Sequence, residues 1–160
     1  MTALQDLANR IAARLIARGE TIVVAESSSG GLISAALLAV PGASEYYLGG
    51  AVVYTQTARE ALFGIGAAEM ANTRASSEPY ARLLAARARE KFGATWGLSE
   101  TGAAGPTGNR YGDAAGHVCF AVGGPKDLAG TLETASADRV ANMEAFARAA
   151  LGLLEEALGE

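Results

Sequence analysis

The sequence predicts an α/β fold, a three-layer α/β/α sandwich around a mixed β-sheet. Predicted helices and strands alternate along the chain, an order that places helices on both faces of a sheet. Two late strands follow one another across residues 123–127, a turn typical of a hairpin, so antiparallel pairs are expected beside parallel ones. The 160 residues fit one domain, residues 1-160, which is long enough to bury about two thirds of its unfolded surface.

Each element has a local signature. Apolar residues at helical spacing and a closing Gly19 predict the first helix, and the β-branched letters TIVV at residues 21–24 predict the first strand. Pro41 ends the second helix, because proline disfavours helix in the residue before it. Ser77 and Pro79 begin the fourth helix as its cap and first-turn residue. The predicted helices span residues 4–18, 31–39, 56–62, 77–92 and 138–158, and the predicted strands span residues 21–25, 51–54, 95–100, 116–122 and 128–135.

Composition narrows the function classes. A net charge of −4 and a pI of about 5.1 disfavour a nucleic-acid partner and binding to an anionic membrane surface. The first helix is amphipathic, unlike the apolar core of a signal peptide, so a cytoplasmic location is expected. With one cysteine, Cys119, and one histidine, His117, no internal disulfide, metal site or cofactor is expected. Both residues fall in a predicted strand and are expected to have structural roles.

A serine-rich turn follows the first predicted strand, where residues 25–31 read AESSSGG before a helix begins. The unpaired N–H groups and positive dipole of a helix N-terminus can receive a phosphate, a carboxylate or an oxyanion. The structural alternative is that Ser28 or Ser29 caps the helix, while Gly30 and Gly31 let it pack closely on the sheet. Both interpretations stay open at this point.

Four stretches together resemble the C-terminal domain of the CinA family. They are AESSSGG at residues 25–31, PGAS at 41–44, GAVVYTQTAR at 50–59 and TGAAGP at 101–106, where the family reads roughly AESCTGG, PGSS, GxVxYSNxAK and TGxAGP. The order is preserved over nearly the whole chain. The resemblance implies a three-layer α/β/α fold, a homodimer, and similarity to the PncC-type nicotinamide mononucleotide deamidase, which hydrolyses the nicotinamide amide to an acid and ammonia.

The resemblance also implies site residues. The nucleophilic serine of the family falls on Ser44, its active-site tyrosine and threonine fall on Tyr54 and Thr101, and its basic lysine falls on Arg59. These four residues are expected to converge on one cleft, because α/β sheets build sites at turns and strand ends. An activated serine can cleave an amide without metal or histidine if donors hold the oxyanion. The residues expected to bind a nucleotide substrate are Glu26, Ser28, Ser29, Gly30, Gly31, Gly102, Gly105 and Arg139.

Two departures from the family pattern leave the activity open. Arg59 cannot serve as the base that a lysine supplies, because arginine stays charged and offers no lone pair, although it can still bind a phosphate or an oxyanion. Glu100 stands where the family has small or apolar residues, so it is expected to be exposed, paired (with Arg59, for example) or functional. The sequence therefore predicts an amidohydrolase on nicotinamide mononucleotide or a related amide, or an impaired homologue that binds a nucleotide or small anion. A role in competence or DNA damage through partner contacts follows only from the name of the family.

Overall fold

The computed structural model describes residues 2–159, which form a five-stranded mixed β-sheet with helices on both faces. The strands are β1 (Ile22–Glu26), β2 (Tyr47–Val52), β3 (Trp96–Ala103), β4 (His117–Gly123) and β5 (Leu128–Glu133). The helices are α1 (Ala3–Arg18), α2 (Leu32–Leu38), α3 (Gln56–Phe63), α4 (Glu78–Phe92) and α5 (Arg139–Leu158), with a 3-10 turn, Ala43–Glu45, before β2. The predicted α/β fold with a mixed sheet is confirmed.

The strand order in the sheet is β2-β1-β3-β4-β5. Strand β1 runs parallel to both β2 and β3, whereas β4 pairs antiparallel with β3 and with β5. The hairpin predicted around residues 123–127 is therefore the β4–β5 connection. Because β1, β2 and β3 are parallel, their carboxyl ends meet at one edge of the sheet, which is where α/β folds place ligands.

The two faces of the sheet are covered by different helices, which gives the three layers. Alternate side chains of a strand point to opposite faces. Ile22 and Val24 of β1 pack in the core that includes α1, α2 and α5, whereas Val23 and Ala25 pack in the core that includes α4. The apolar face of each helix thus packs against the strand side chains that point to its side of the sheet.

Local capping sets most helix boundaries. The Ser77 hydroxyl accepts a hydrogen bond from Tyr80 N at 3.3 Å at the start of α4, and Gly93 ends that helix in the left-handed conformation. Asp138 caps α5 by accepting from Ala141 N at 3.2 Å. These side chains satisfy N–H groups that the first turn of a helix leaves without an intrahelical partner.

Strands β3 and β2 differ from their predicted bounds in ways that bear on the site. Strand β3 continues to Ala103, so Thr101 and Gly102 lie in the strand, which was predicted to end at residue 100. Pairing with β4 explains the extension, because Thr101 lies opposite Cys119 beyond the point where β3 pairs with β1. Strand β2 begins at Tyr47 and ends at Val52, earlier than the strand predicted at residues 51–54.

Candidate functional site

A cleft of about 240 Å³ opens at the carboxyl ends of β1, β2 and β3. Its lining combines hydroxyl, phenol and guanidinium groups. The polar lining residues are Ser27, Tyr54, Thr55, Gln56, Arg59, Tyr80, Thr101, Asn109, Arg110 and Tyr111. A second cavity of about 270 Å³ adjoins the cleft, because it shares Gln56, Arg59, Arg110 and Tyr111 with it. The position is the one where α/β sheets bind small molecules.

A larger open cavity, about 530 Å³, lies at the end of α4 near the β4–β5 turn. Two of its three charged lining residues, Arg89 and Asp127, already bond within the fold. Arg89 Nε donates to Thr95 O at 2.9 Å, and Asp127 Oδ1 accepts from Gly124 N at 3.1 Å. We therefore place the candidate site at the smaller cleft, where polar groups face open space.

The structure brings together three of the four residues expected to be catalytic. Thr101 lies near the end of β3 and is 2% exposed, Arg59 lies on α3 and is 9% exposed, and Tyr54 follows β2 and is 57% exposed. All three line the cleft. Their assignment to catalysis stays a prediction, and what the geometry supplies is their proximity.

Ser44 is not with them, which corrects the expectation that it shares the cleft. It lies exposed in the 3-10 turn that precedes β2, whereas Tyr54 follows the other end of that strand. The six residues of β2 extend over about 16 Å. Ser44 of a chain therefore cannot contact Arg59 or Thr101 of the same chain, because bond formation needs atoms within roughly 3 Å.

The serine that the geometry places in the cleft is Ser27. It directly follows β1 and lines the cleft beside Arg59 and Thr101. Its position was visible in the sequence as the first serine after a buried parallel strand, which is the strand end where sites form. The resemblance to the family assigned the nucleophile to Ser44, so Ser27 was not predicted as a site residue.

Arg59 brings a buried positive charge to the cleft. Among residues 2–159, no hydrogen-bond acceptor lies within reach of its buried Nε atom. The guanidinium carbon lies 5.6 Å from the centroid of the Tyr80 ring, a cation–π distance. Burial raises the pKa of the Tyr80 phenol against the opposing effect of the Arg59 charge. A guanidinium that has no partner at Nε and lies beside a phenol is suited to receive an anionic or carbonyl oxygen.

Two further aromatic–arginine contacts involve residues of the cleft and the adjoining cavity. Arg110 lies 5.0 Å from the centroid of the Tyr111 ring, and Arg74 lies 5.1 Å from the same centroid. Arg74 is also held by Asp113, with Nη1 2.7 Å from Oδ2. The cleft thus offers the aromatic faces of Tyr80 and Tyr111 and the guanidinium of Arg110 besides that of Arg59, and Arg74 lines the adjoining cavity.

Glu26, Ser28 and Ser29, expected to bind substrate, instead bond to the protein itself. All three are buried. Glu26 accepts hydrogen bonds from Ile33 N at 3.2 Å and Ser34 N at 3.0 Å. The N-terminus of α2 therefore already holds a carboxylate from the chain, and the expectation that it receives a substrate anion is corrected.

Glu100 fills the preceding turn in the same way. Its Oε1 accepts from Ser27 N and Ser29 N, each at 2.9 Å, and its Oε2 lies 2.5 Å from Ser28 Oγ. Of the alternatives open for Glu100, the structure shows a paired carboxyl. Its partners are the serine turn rather than Arg59, because Glu100 and the turn lie side by side at the ends of β3 and β1.

The glycines expected to bind substrate have structural explanations. Gly30 and Gly31 have φ of 67° and 105°, a region that residues with a Cβ rarely adopt. A Cβ on Gly102 would lie 2.6 Å from His117 O, and one on Gly105 would lie 3.0 Å from Ala137 O. These four glycines allow turns and close backbone approach, and none of them is among the cleft residues given above.

Arg139 bonds to Tyr54, one of the residues that line the cleft. Its Nη2 donates to the Tyr54 hydroxyl at 3.1 Å, and its Nη1 donates to Gly105 O at 2.5 Å. Arg139 is not among the cleft residues given above, but it contacts Tyr54, which is one of them. The bonds indicate that Arg139 orients Tyr54, and its predicted contact with substrate stays untested.

A layer of polar groups supports Thr101 from behind. Ser76 N donates to Thr101 Oγ1 at 3.0 Å, and His117 Nε2 lies 2.8 Å from Ser76 O. The other ring nitrogen, Nδ1, lies 2.5 Å from Glu133 Oε1. Burial favours the neutral ring, but the Ser76 carbonyl and the Glu133 carboxylate together raise the pKa of His117. His117 is thus buried, with both ring nitrogens in contact with groups of the fold, and its expected structural role stays a prediction.

Cys119 packs beside this histidine in β4. It is 2% exposed, and burial raises the pKa of its thiol, which makes it a poor nucleophile. Within residues 2–159, no group of three His, Cys, Asp or Glu side chains is arranged to hold a metal ion. Over the same residues, no helix has the length and hydropathy needed to span a membrane.

Known proteins with similar sequences and structures identify the family. A sequence model of the CinA C-terminal domain matches residues 4–158. A CinA-like protein of Anaeromyxobacter sp. (strain K) is 40% identical over 153 residues, which are 96% of this chain and 38% of that protein. A CinA-like protein of Prochlorococcus marinus (strain MIT 9313) is 43% identical over 121 residues, which are 76% of this chain and 28% of that protein. The chain thus spans 28–38% of the length of these relatives.

The solved structures agree with the sequence match. The crystal structure of the competence-damaged protein (CinA) superfamily protein from Enterobacter cloacae is 32% identical to this chain and superimposes with a TM-score of 0.91, covering 99% of this chain and 94% of that chain. Its similarity extends over the sheet and over the helices on both faces, because nearly the whole of each chain is aligned. The chain belongs to the CinA C-terminal domain family.

Proposed function

We propose that the cleft binds a small anionic nucleotide, with nicotinamide mononucleotide as the first candidate, and that the chain hydrolyses the amide of this ligand with Ser27 as nucleophile. The observation that carries the proposal is the buried Arg59 guanidinium, whose Nε lacks a partner among residues 2–159 and which faces a cleft that Ser27 and Thr101 also line. A desolvated guanidinium without a carboxylate partner is stabilised when an anion binds beside it.

Both parts of a nucleotide find suitable groups in the cleft. Arg110 supplies a guanidinium fork, which matches the geometry of a phosphate, while Arg59 lies nearer to Ser27 at the reacting end in this proposal. Tyr80 and Tyr111 supply aromatic faces against which a planar ring can stack. The adjoining cavity, which shares Arg59, Arg110 and Tyr111, lets a ligand larger than the 240 Å³ cleft extend past the arginines.

The proposed reaction is an acyl transfer in two steps. The Ser27 oxygen attacks the carboxamide carbon, the C–N bond breaks, and the serine proton leaves with the nitrogen as ammonia. Water then attacks the acyl-serine ester, releasing the acid and restoring the hydroxyl. Donors from Thr101 and Arg59 are placed to stabilise the oxyanion of each tetrahedral intermediate.

A second candidate function is binding without turnover, and Arg59 is the observation that favours it. Removing the serine proton needs a base, and a guanidinium offers no lone pair. His117 cannot take that role, because its ring nitrogens face Ser76 O and Glu133 rather than the cleft. The proposed hydrolysis is therefore slow, and the chain acts chiefly as a nucleotide-binding domain unless a water molecule supplies the base.

The test compares wild type with Arg59→Lys and Ser27→Ala. Calorimetry measures the affinity for nicotinamide mononucleotide, and a coupled assay measures ammonia release. We expect wild type to bind with slow release. A lysine amine beside Ser27 restores a general base, so Arg59→Lys is expected to raise turnover by about 10²–10⁴-fold.

Three outcomes count against the proposal. If wild type binds neither the nucleotide nor inorganic phosphate, both candidate functions fail. If Ser27→Ala releases ammonia as wild type does, Ser27 is not the nucleophile. If wild type is fast and Arg59→Lys destroys that activity, arginine has its own catalytic role and the missing-base explanation is wrong. The homodimer and the cytoplasmic location stay predictions from the sequence.

A further inference from the structure

Two carboxyl groups lie buried together behind the cleft. Glu26 ends β1 and is 1% exposed, and Glu100 lies in the neighbouring β3 and is 0% exposed. The hydroxyl of Ser29 lies between them, 2.6 Å from Glu26 Oε1 and 2.7 Å from Glu100 Oε1. Two ionised carboxylates at this spacing, without a cation, would repel each other strongly in a medium of low dielectric constant.

Among the described residues, the groups that bond to the two carboxyls are backbone N–H groups and serine hydroxyls. Glu26 faces Ile33 N, Ser34 N and the Ser29 hydroxyl, and Tyr47 is the titratable neighbour across β2. Glu100 faces the N–H groups of Ser27 and Ser29 and the hydroxyls of Ser28 and Ser29. No side-chain cation is part of either set.

The single hydroxyl hydrogen of Ser29 cannot fill both of its contacts with the two carboxyl groups. Its hydroxyl carries one hydrogen, yet its oxygen lies within hydrogen-bond distance of two carboxyl oxygens. If both carboxyls are ionised, one contact joins two oxygens with no hydrogen between them. One added proton removes the conflict, because a protonated Glu100 donates to Ser29 Oγ while Ser29 donates to Glu26, or the reverse.

We propose that Glu26 and Glu100 share one proton through the Ser29 hydroxyl at neutral pH, and that Glu100 is a positioning residue for Ser27. Glu26 also accepts hydrogen bonds from two N–H groups at the start of α2, so the fold itself supplies its partners as it does those of Glu100. Glu100 holds the Ser27 N–H and the Ser29 N–H on one oxygen, which fixes the turn that presents Ser27 to the cleft. Desolvation raises the pKa of Glu100, in agreement with the geometry.

The shared proton has a measurable consequence for folding, independent of any ligand. A carboxyl whose pKa is raised on folding is protonated in the folded chain and ionised in the unfolded chain over the interval between the two pKa values. Stability is therefore fully present below the unfolded pKa, about 4.3 for glutamate, and is lost as pH rises through the raised pKa. Over that interval, one proton changes the unfolding equilibrium constant by about tenfold per pH unit.

The experiment compares wild type, Glu100→Gln, Glu100→Ala and the exposed control Glu144→Gln. In Glu100→Gln, the amide oxygen accepts from Ser27 N and Ser29 N and the amide nitrogen donates to Ser28 Oγ, so the turn keeps its bonds while the pair loses the proton that it shares. Urea unfolding from about pH 5 to about pH 8 is expected to show the steep loss of stability in wild type and Glu144→Gln, and to lack that component in Glu100→Gln.

Amide hydrogen exchange at Ser27 and Ser29 tests the positioning role. Both N–H groups are expected to stay protected in Glu100→Gln and to exchange at least tenfold faster in Glu100→Ala, so the conservative variant rescues the turn. An infrared spectrum of wild type at neutral pH supplies a measurement that needs no variant, since a protonated carboxyl has a C=O band that a carboxylate lacks.

The outcomes separate this inference from the proposed function. The inference rests on the proposed function only where it treats Ser27 as the nucleophile. If wild type and Glu100→Gln have the same pH dependence and wild type shows no carboxylic acid band, the shared proton does not exist. If Glu100→Gln loses amide protection as fully as Glu100→Ala, Glu100 does not position the turn by these bonds. If the folding results hold while nicotinamide mononucleotide does not bind, the inference stands and the proposed function fails.

Discussion

The backbone N–H of Ser76 donates a hydrogen bond to the Thr101 hydroxyl oxygen at 3.0 Å. Because that oxygen accepts there, the hydroxyl proton of Thr101 is free to point into the cleft. Ser76 itself has φ of 57°, in the left-handed region, and its carbonyl oxygen lies 2.8 Å from His117 Nε2. A non-glycine residue persists in this conformation where its surroundings hold it. His117 thus supports the cleft from behind, two hydrogen bonds away from Thr101.

We expect His117→Gln to change how stability depends on pH. The pKa of His117 is raised in the folded chain, so its contribution is fully present below about pH 6.5, the ordinary histidine pKa, and is lost as pH rises through the raised pKa. At acidic pH the variant is expected to lose about 1–3 kcal/mol of unfolding free energy, since it breaks buried hydrogen bonds to a charged ring. Urea denaturation at several pH values measures the difference, which should shrink as pH rises. A difference independent of pH would show that His117 titrates as it does in the unfolded chain.

Ser27→Ala and Ser44→Ala form a matched pair. Ser27 lines the cleft, whereas Ser44 lies at the opposite end of β2. In an Arg59→Lys background with measurable ammonia release, Ser27→Ala is expected to lower turnover by about 10⁴-fold or more, because it removes the nucleophile. Ser44→Ala is expected to change turnover by less than about twofold, as substitutions away from the reacting atoms usually do. Loss of activity in Ser44→Ala would instead mean that a second chain brings its Ser44 to the cleft.

Arg59→Met tests the anion site, with Arg82→Met as the control. Both changes remove one positive charge, but Arg82 lies exposed on α4 and Arg59 is buried in the cleft. A hydrogen bond to a charged group contributes about 1.5–3 kcal/mol, so Arg59→Met is expected to weaken nucleotide binding by about 10–100-fold. Calorimetry at low and high salt separates this loss from the general effect of net charge, which salt screens. Equal weakening in both variants would mean that only the overall charge matters.

Locally determined features could be predicted from the sequence. Ser77 and Gly93 set the ends of α4 through bonds to residues a few positions away, and the predicted bounds of this helix, residues 77–92, agree because capping depends on neighbours in the chain. Strand β3 was predicted to end at residue 100, but it continues to Ala103 because β4 pairs with it there. That pairing joins residues far apart in sequence, which local propensity does not contain.

The candidate site shows the same division. Tyr54, Arg59 and Thr101 were brought together correctly, because each follows or lies near the carboxyl end of a parallel strand. Ser44 was misplaced, since a motif gives a position along the chain and does not say at which end of the sheet it lies. The sequence did not identify the hydrogen-bond partner of Glu100, for a different reason. The Ser27 turn is more than seventy residues away in sequence, and only the pairing of β1 with β3 places the two side by side.

Gly97→Ala and Gly152→Ala are expected to change stability in opposite directions. A Cβ at position 97 would lie 2.3 Å from Ala85 O, because α4 packs directly on β3 at this point, so the helix must shift. Such overpacking typically costs about 1–3 kcal/mol and can cost more where backbone must move. Gly152 lies within α5, where a Cβ would meet no described atom within 4 Å beyond the neighbouring backbone of its own helix. Alanine there is expected to add about 0.5–1 kcal/mol through helix propensity. Urea unfolding at one pH measures both changes, and a neutral or stabilising Gly97→Ala would contradict the close approach of α4 to β3.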